Sequence, residues 1–339
     1  MTKILNRIIP LLLCLCLLGC TEAPPPTRPT QAPTEATAAV SKVTEPVTEP
    51  ATEPVSVNVQ AEVQAMETPP PPAAVVPEAE APGILEERCE EAVIDYSNTA
   101  DGYVMVRYLV PSESRLKVLV KGPTTTYSYN LPVDEWTVFP LSDGNGTYQI
   151  GVYQNVVDAK YAKVIVAKTE VTMTDEFAPF LRPNQYVDYT QATKAVEKGL
   201  EITAGLEAPL EKVAAVYDYV VSEFTYDKEK AESVKSGYLP VLDQVLEEKT
   251  GICFDYAALM TAMLRSQQIP CKLVVGYAGE VYHAWISVWT EENGWIDGAI
   301  FFDGHTWKRM DPTFASSGAG DPTIMDYIEN GSYTAKYLY

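Results

Sequence analysis

Residues 251–313 constrain this chain more than any other part of it. They open on Gly251-Ile252-Cys253-Phe254-Asp255-Tyr256-Ala257 and a helical run to Gln267. An apolar segment, 273–277, and a turn at Gly279-Glu280 lead to Tyr282-His283-Ala284-Trp285, and the stretch closes on Asp311-Pro312-Thr313. A cysteine, a histidine and an aspartate thus appear in order, each at the edge of a regular element. That is the arrangement needed by a thiol nucleophile, its base and the group that orients the base.

Cys253 follows a glycine where residues 255–267 become helical, and Ala257, Leu259, Met260, Ala262, Met263 and Leu264 make that helix a buried one. A helix N-terminus offers unpaired N–H groups and the positive end of the macrodipole. Both favour a thiolate and can face a developing oxyanion. A cysteine beside an apolar helix is otherwise an inert small hydrophobe. His283 opens a strand just after a turn, where an imidazole can reach a helix end and act as base. His305, the other histidine, reads as a turn residue. Asp311 ends a strand over 306–310 and can orient the imidazole, whereas the bland reading of Asp-Pro is a turn. Asp297, after Gly294-Trp295-Ile296, competes for that role.

The formal net charge of −21 over 339 residues excludes a nucleic-acid binder, because such a chain repels phosphate. It also gains nothing from an anionic membrane surface. Attachment must come from the N-terminus. Lys3 and Arg7 precede a short apolar run, 8–18, ending in Leu17-Leu18-Gly19-Cys20. This resembles the bacterial lipoprotein signal, which implies cleavage before Cys20 and lipid on its thiol. Residues 1–20 are then a signal peptide, and the protein is expected at the cell membrane, lipid-anchored and facing the extracytoplasmic side. Cys14 and Cys16 leave with the signal. Cys89, Cys253 and Cys271 remain, an odd set that makes no disulfide framework. A Cys89–Cys271 bridge stays open, and a redox pair of Cys253 with Cys271 lacks Cys-x-x-Cys spacing.

Residues 21–88 are expected to be a disordered Pro/Thr/Glu-rich linker, with a repeated Thr-Glu-Pro unit at 44–54. Prolines extend such a tether and glutamates repel one another. From 89 to 174 the pattern turns to period two. Runs at 103–110, 115–121 and 161–172, with Tyr148, Ile150 and Val152 on one face, are separated by turn residues. They predict an all-β, immunoglobulin-like sandwich acting as spacer or docking module. Helical periodicity then marks 190–205, 209–224 and 241–248 within a second domain, 175–339.

Gly-x-Cys-x-Asp-Tyr-Ala, Gln268-Ile269-Pro270 leading into Val274-Val275-Gly276-Tyr277, His-Ala-Trp and Asp-Pro-Thr together resemble the transglutaminase-like superfamily over residues 190–315. The resemblance implies an α+β papain-like fold with Cys253 as nucleophile, His283 as base and Asp311, on a final strand, as orienter. It implies acyl transfer on a protein or peptide amide at the cell envelope, ending in cross-linking or hydrolysis. Animal transglutaminases supply a second oxyanion donor from an upstream tryptophan. None lies between Thr190 and Cys253, so Tyr226 and Gln244 are the polar candidates, against bland readings as core tyrosine and exposed helix face. No metal or other cofactor is expected, since there is neither a ligand cluster nor a Gly-rich phosphate loop. The alternative is a non-catalytic envelope binding or structural module on the same fold.

Overall fold

The computed structural model describes residues 73–297, 300–302, 307–309 and 333–339. The expected signal peptide, Cys20, the tether up to residue 72, His305 and Asp311 lie outside the described residues.

The first half is built of eight strands. They are β1 (Glu86–Arg88), β2 (Ala92–Asp95), β3 (Tyr103–Tyr108), β4 (Leu116–Lys121), β5 (Thr126–Asn130), β6 (Thr137–Pro140), β7 (Gly146–Val157) and β8 (Lys160–Val171). They form two four-stranded antiparallel sheets, ordered β1-β2-β3-β6 and β5-β4-β7-β8. The period-two reading explains why. In β4, Leu116, Val118 and Val120 are buried while Lys121 is exposed, and Tyr148, Ile150 and Val152 of β7 are fully buried. Residues from both sheets fall into one core, as in a sandwich. The end of the segment assigned to the linker is part of this ordered body. Val75 N donates to Ser266 O (2.8 Å), Glu80 N to the Tyr103 hydroxyl (3.2 Å) and Gly83 N to Asp95 Oδ2 (2.6 Å). Proline-rich composition hides this, because the partners that satisfy the backbone lie far along the chain.

The second half begins with α1 (Lys194–Ile202) and α2 (Pro209–Glu223), followed by β9 (Thr225–Tyr226), α3 (Lys228–Ser233), α4 (Leu242–Glu248), β10 (Thr250–Gly251) and α5 (Cys253–Arg265). Next come β11 (Cys271–Ala278), β12 (Val281–Thr290), β13 (Gly294–Asp297), β14 (Ile300–Phe302), β15 (Trp307–Arg309) and β16 (Tyr333–Leu338). A four-stranded antiparallel sheet runs β13-β12-β11-β16. The helix expected at 190–205 is shorter, since Thr190 and Thr193 are spent on a turn in front of α1, with Thr193 N donating to Thr190 O. α2 starts on Pro209, whose missing N–H costs nothing at a first helical position, and buries Val213, Val216, Tyr217 and Val220.

α5 is the axis of this half. Every residue from Asp255 to Arg265 is buried, against α1, α2 and α4 on one side and β11 and β12 on the other. Cys271, Leu273, Ala284, Ile286 and Val288 join its core. The close approach of β16 to β11 depends on Gly276, where the register shifts. A Cβ there would lie 2.1 Å from Thr334 O and 2.9 Å from Trp285 Cη2. No rotamer relieves a clash with backbone, so Gly276→Ala should cost about 2–3 kcal/mol. Amide exchange in β16 should accelerate more than in β12, and equal protection in both variants would refute this role for the glycine.

Candidate functional site

Cys253 is the first residue of α5 and is half-buried. The helix starts two residues earlier than expected, so the thiol lies within its first turn. Ile252, the residue before it, is extended (φ −106°, ψ 176°) and has no side chain able to cap the helix. The carboxylate of Asp255, the third helical residue, reaches back instead, and Ile252 N donates to its Oδ2 at 2.8 Å. The N–H groups of the first turn are thus left without a capping side chain beside the thiol.

Asp255 is fully buried and triply held. Besides Ile252 N, Lys230 Nζ donates to Oδ2 (2.7 Å) and the Tyr238 hydroxyl to Oδ1 (2.5 Å). The Lys230 ammonium also sits 4.6 Å from the centre of the Tyr238 ring. Burial pushes the Lys230 ammonium down, but its bonds to Asp255 and Tyr238 outweigh this and hold it above the ordinary lysine value. Burial, then the hydrogen bond to Asp255, pushes the Tyr238 phenol up. Gly251 leaves room for this carboxylate, since a Cβ there would come within 2.8 Å of Asp255 Cβ.

Sequence reasoning passed over Asp255 as a functional position. The available signal was an acid at the third position of a helix whose preceding residue is apolar.

β9 pairs in parallel with β10, Tyr226 opposite Gly251, and Asp227 N donates to Gly251 O at 2.8 Å. Tyr226 therefore stands beside the strand that feeds α5, with its ring edge-on to Tyr256 at 6.4 Å. Gln244 lies on the exposed face of α4 and donates to Glu248 Oε1 (2.8 Å), as a solvated helix face would.

His283 is buried near the start of β12, paired with Gly276 of β11. α5 and β11 run in opposite directions: Arg265, at the end of α5, binds the carbonyl of Cys271, where β11 begins. The β11–β12 turn therefore returns His283 to the end of the unit that carries Cys253. Strand alternation sorts the side chains there. Ala284 and Ile286 join the core around α5, and Tyr282, on the same face by alternation, is exposed. His283 and Trp285 share the opposite face, their rings 6.3 Å apart and 23° from parallel, with Tyr333 6.5 Å from the imidazole. Burial raises the Tyr282 phenol, and the charges of neighbouring tyrosines and of Cys253 add to this.

Asp297 pairs with Ser287, whose hydroxyl it accepts at 2.9 Å. Four residues of strand, about 13 Å, separate that position from His283, which puts Asp297 out of reach of the imidazole. The three cysteines of the described residues are free, so there is no Cys89–Cys271 bridge. Cys271 is fully buried, its Sγ 3.6 Å from Thr261 Oγ1, and burial pushes its thiol up to about 11. That leaves it a poor redox partner for Cys253. Among the described residues no three metal-ligating side chains converge.

An aromatic seam, also unforeseen, joins the sandwich to the α5 end. Tyr186 lies 5.6 Å from Phe254, 4.2 Å from Tyr339 and 5.6 Å from Tyr129, ring centre to ring centre.

A helix that begins on a cysteine, backed by an antiparallel hairpin with a histidine near its turn, fits a transglutaminase-like or cysteine-protease-like fold. The sequence profile described as the transglutaminase-like superfamily matches residues 197–298, which marks a transglutaminase-like domain in this part of the chain. The chain is 27% identical over 169 residues to the uncharacterized protein YebA of Bacillus subtilis, a match covering 44% of this chain and 22% of that one. It is 31% identical over 68 residues to a protein-glutamine gamma-glutamyltransferase of Pseudomonas aeruginosa, covering 16% and 10% respectively. The chain thus spans less than a quarter of either relative's length. The crystal structure of the periplasmic domain of TgpA from Pseudomonas aeruginosa is similar at 16% identity and a TM-score of 0.33, covering 73% of this chain and 77% of that one.

Proposed function

We propose that the domain is a cysteine acyltransferase or amidase acting on a glutamine carboxamide or peptide amide, with Cys253 as nucleophile, His283 as base and Asp311 as its orienter. The thiolate attacks the carbonyl carbon and the N–H groups of the first turn of α5 receive the oxyanion. The C–N bond breaks, the nitrogen leaves as ammonia or an amine with the proton from the imidazolium, and a thioester remains. An incoming amine gives a cross-link; water gives hydrolysis. The name of the Pseudomonas relative supports the glutamine carboxamide as donor. Tyr226, beside the strand feeding α5, is the better placed of the two candidates for a second oxyanion donor. The observation that carries the reading is Cys253 at the first position of a buried helix without a capping side chain.

The proposed setting is the outer face of the cell membrane. A lipid on Cys20 would anchor the chain and the Thr-Glu-Pro tract would hold the folded part off the surface, within reach of envelope proteins or peptides. The sandwich is read as the spacer.

Labelling with a thiol-directed electrophile at pH 7 tests the chemistry. Cys253 should react about tenfold or more faster in the parent protein than in His283→Ala. Equal rates would remove the activated thiolate and with it the enzyme. One observation favours a second reading, a binding module without catalysis: His283 shares its sheet face with Trp285 rather than with the residues that pack on α5. Capture of an envelope partner that survives Cys253→Ala, together with equal labelling rates, is the result that reading requires.

A further inference from the structure

We infer that Lys230 is a positioning residue for Cys253: through the fully buried carboxylate of Asp255 it holds the start of α5 in place and cancels a negative charge that would otherwise oppose the thiolate. The inference rests on the reading of Cys253 as nucleophile, and it names a residue of α3 that no local motif points to.

Asp255 is two residues from the thiol and has no exposure to solvent. An unneutralised carboxylate there would repel a thiolate strongly, because little water screens the pair. Among the described residues Lys230 is the one cation bonded to it, at 2.7 Å, with its own side chain 28% exposed. Tyr238 binds the second carboxylate oxygen and adds no charge. The three hydrogen bonds come from α3, from the segment before α4 and from the residue preceding Cys253, so one carboxylate ties together three pieces of chain around the thiol.

Among the described residues, the other titratable groups about this end of α5 do not substitute for Lys230. Asp227, which caps α3 by accepting from Lys230 N, adds negative charge. Tyr186, Tyr226 and Tyr282 are phenols. His283, its ring 6.3 Å from Trp285 and 6.5 Å from Tyr333, is the base in the proposed reaction. A lysine at position 230 is therefore required by charge as well as by packing.

The pH profile of iodoacetamide alkylation at Cys253, read by mass spectrometry on the whole chain, tests this. Lys230→Met should displace the profile to higher pH and slow labelling at pH 7 about threefold to tenfold, while Lys230→Arg should restore it. Asp255→Asn combined with Lys230→Met should return the profile towards that of the parent even where stability stays low, since the charge is then gone. A profile unmoved in Lys230→Met, or moved equally in the double variant, overturns the inference and leaves a structural clasp. If Lys230→Met does not fold, Tyr238→Phe decides: it removes one bond to Asp255 and should displace the profile less but in the same direction, and no displacement overturns the inference. The proposed function instead fails on the comparison with His283→Ala, so either reading can fall alone.

Discussion

Cys253→Ala should reduce amide turnover by about 10⁴-fold, to the level of the buffer reaction, while leaving the fold intact. The reaction class asks for a bond to sulfur, and alanine supplies no atom for it. Cys253 is only half-buried and opens α5, where alanine is the better helix former, so unfolding should shift by less than about 1 kcal/mol. Release of ammonia from a glutamine-containing dipeptide, with and without hydroxylamine as acceptor, measures the loss. The same assay separates the two outcomes of the thioester. Hydroxamate formation exceeding hydrolysis marks an acyltransferase, and the reverse marks an amidase. Turnover unchanged in Cys253→Ala would remove the nucleophile from the proposal. The aromatic seam gives this loss a control. Phe254 follows the thiol and packs on Tyr186, so Phe254→Leu should lower stability without abolishing the chemistry.

Arg265→Met should destabilise the folded chain by about 4 kcal/mol, the largest stability effect expected of a single side chain here. Arg265 has no exposure to solvent, and its guanidinium donates to three carbonyls: Nε to Cys271 O (2.8 Å), Nη1 to Arg182 O (2.7 Å) and Nη2 to Tyr339 O (2.6 Å). One fork thereby fastens the end of α5 to the start of β11, to the segment that follows the sandwich and to the chain beyond β16. Methionine fills much of the volume but takes the guanidinium donors away from three buried oxygens, of which Tyr339 O keeps Leu273 N (2.9 Å), and each acceptor left without a donor costs about 1–3 kcal/mol. Removing a buried charge also removes its desolvation cost, so the net falls below the sum. Burial already holds the guanidinium below its ordinary value, which is the sign of that cost. Arg265→Lys keeps the charge but not the fork, and should recover less than half of the loss. Urea unfolding measures both, and a change under about 1 kcal/mol for Arg265→Met would show that the carbonyls find other donors.

Much of the second half was legible because its signals are local. Pro209 at a helix start, Gly251 before Cys253, the Gly279-Glu280 turn and the alternation of Ala284, Ile286 and Val288 each lie within a few residues of the element they define. The first half was legible where alternation is strong, as in β4 and β7. β5 and β6 went unassigned, because Thr126-Tyr127-Ser128-Tyr129-Asn130 buries only its tyrosines and β6 is four residues long. Asp297, the competitor of Asp311 in the sequence, is set against Ser287 by strand register, which spacing alone does not reveal.

By itself the sequence determined the order Cys253, His283, Asp311, a helix starting close to the thiol, the hairpin behind it and the acidic, cation-poor character of the chain. These are properties of spacing and composition, and they survive any rearrangement of distant parts. Only the tertiary structure decided what surrounds the thiol. Lys230 and Tyr238 reach Asp255 across 25 and 17 residues, and Arg265 reaches Arg182 and Tyr339 across 83 and 74. A buried charge must find its partner wherever the fold brings one, because water is absent to replace it. No periodicity in the chain records that meeting.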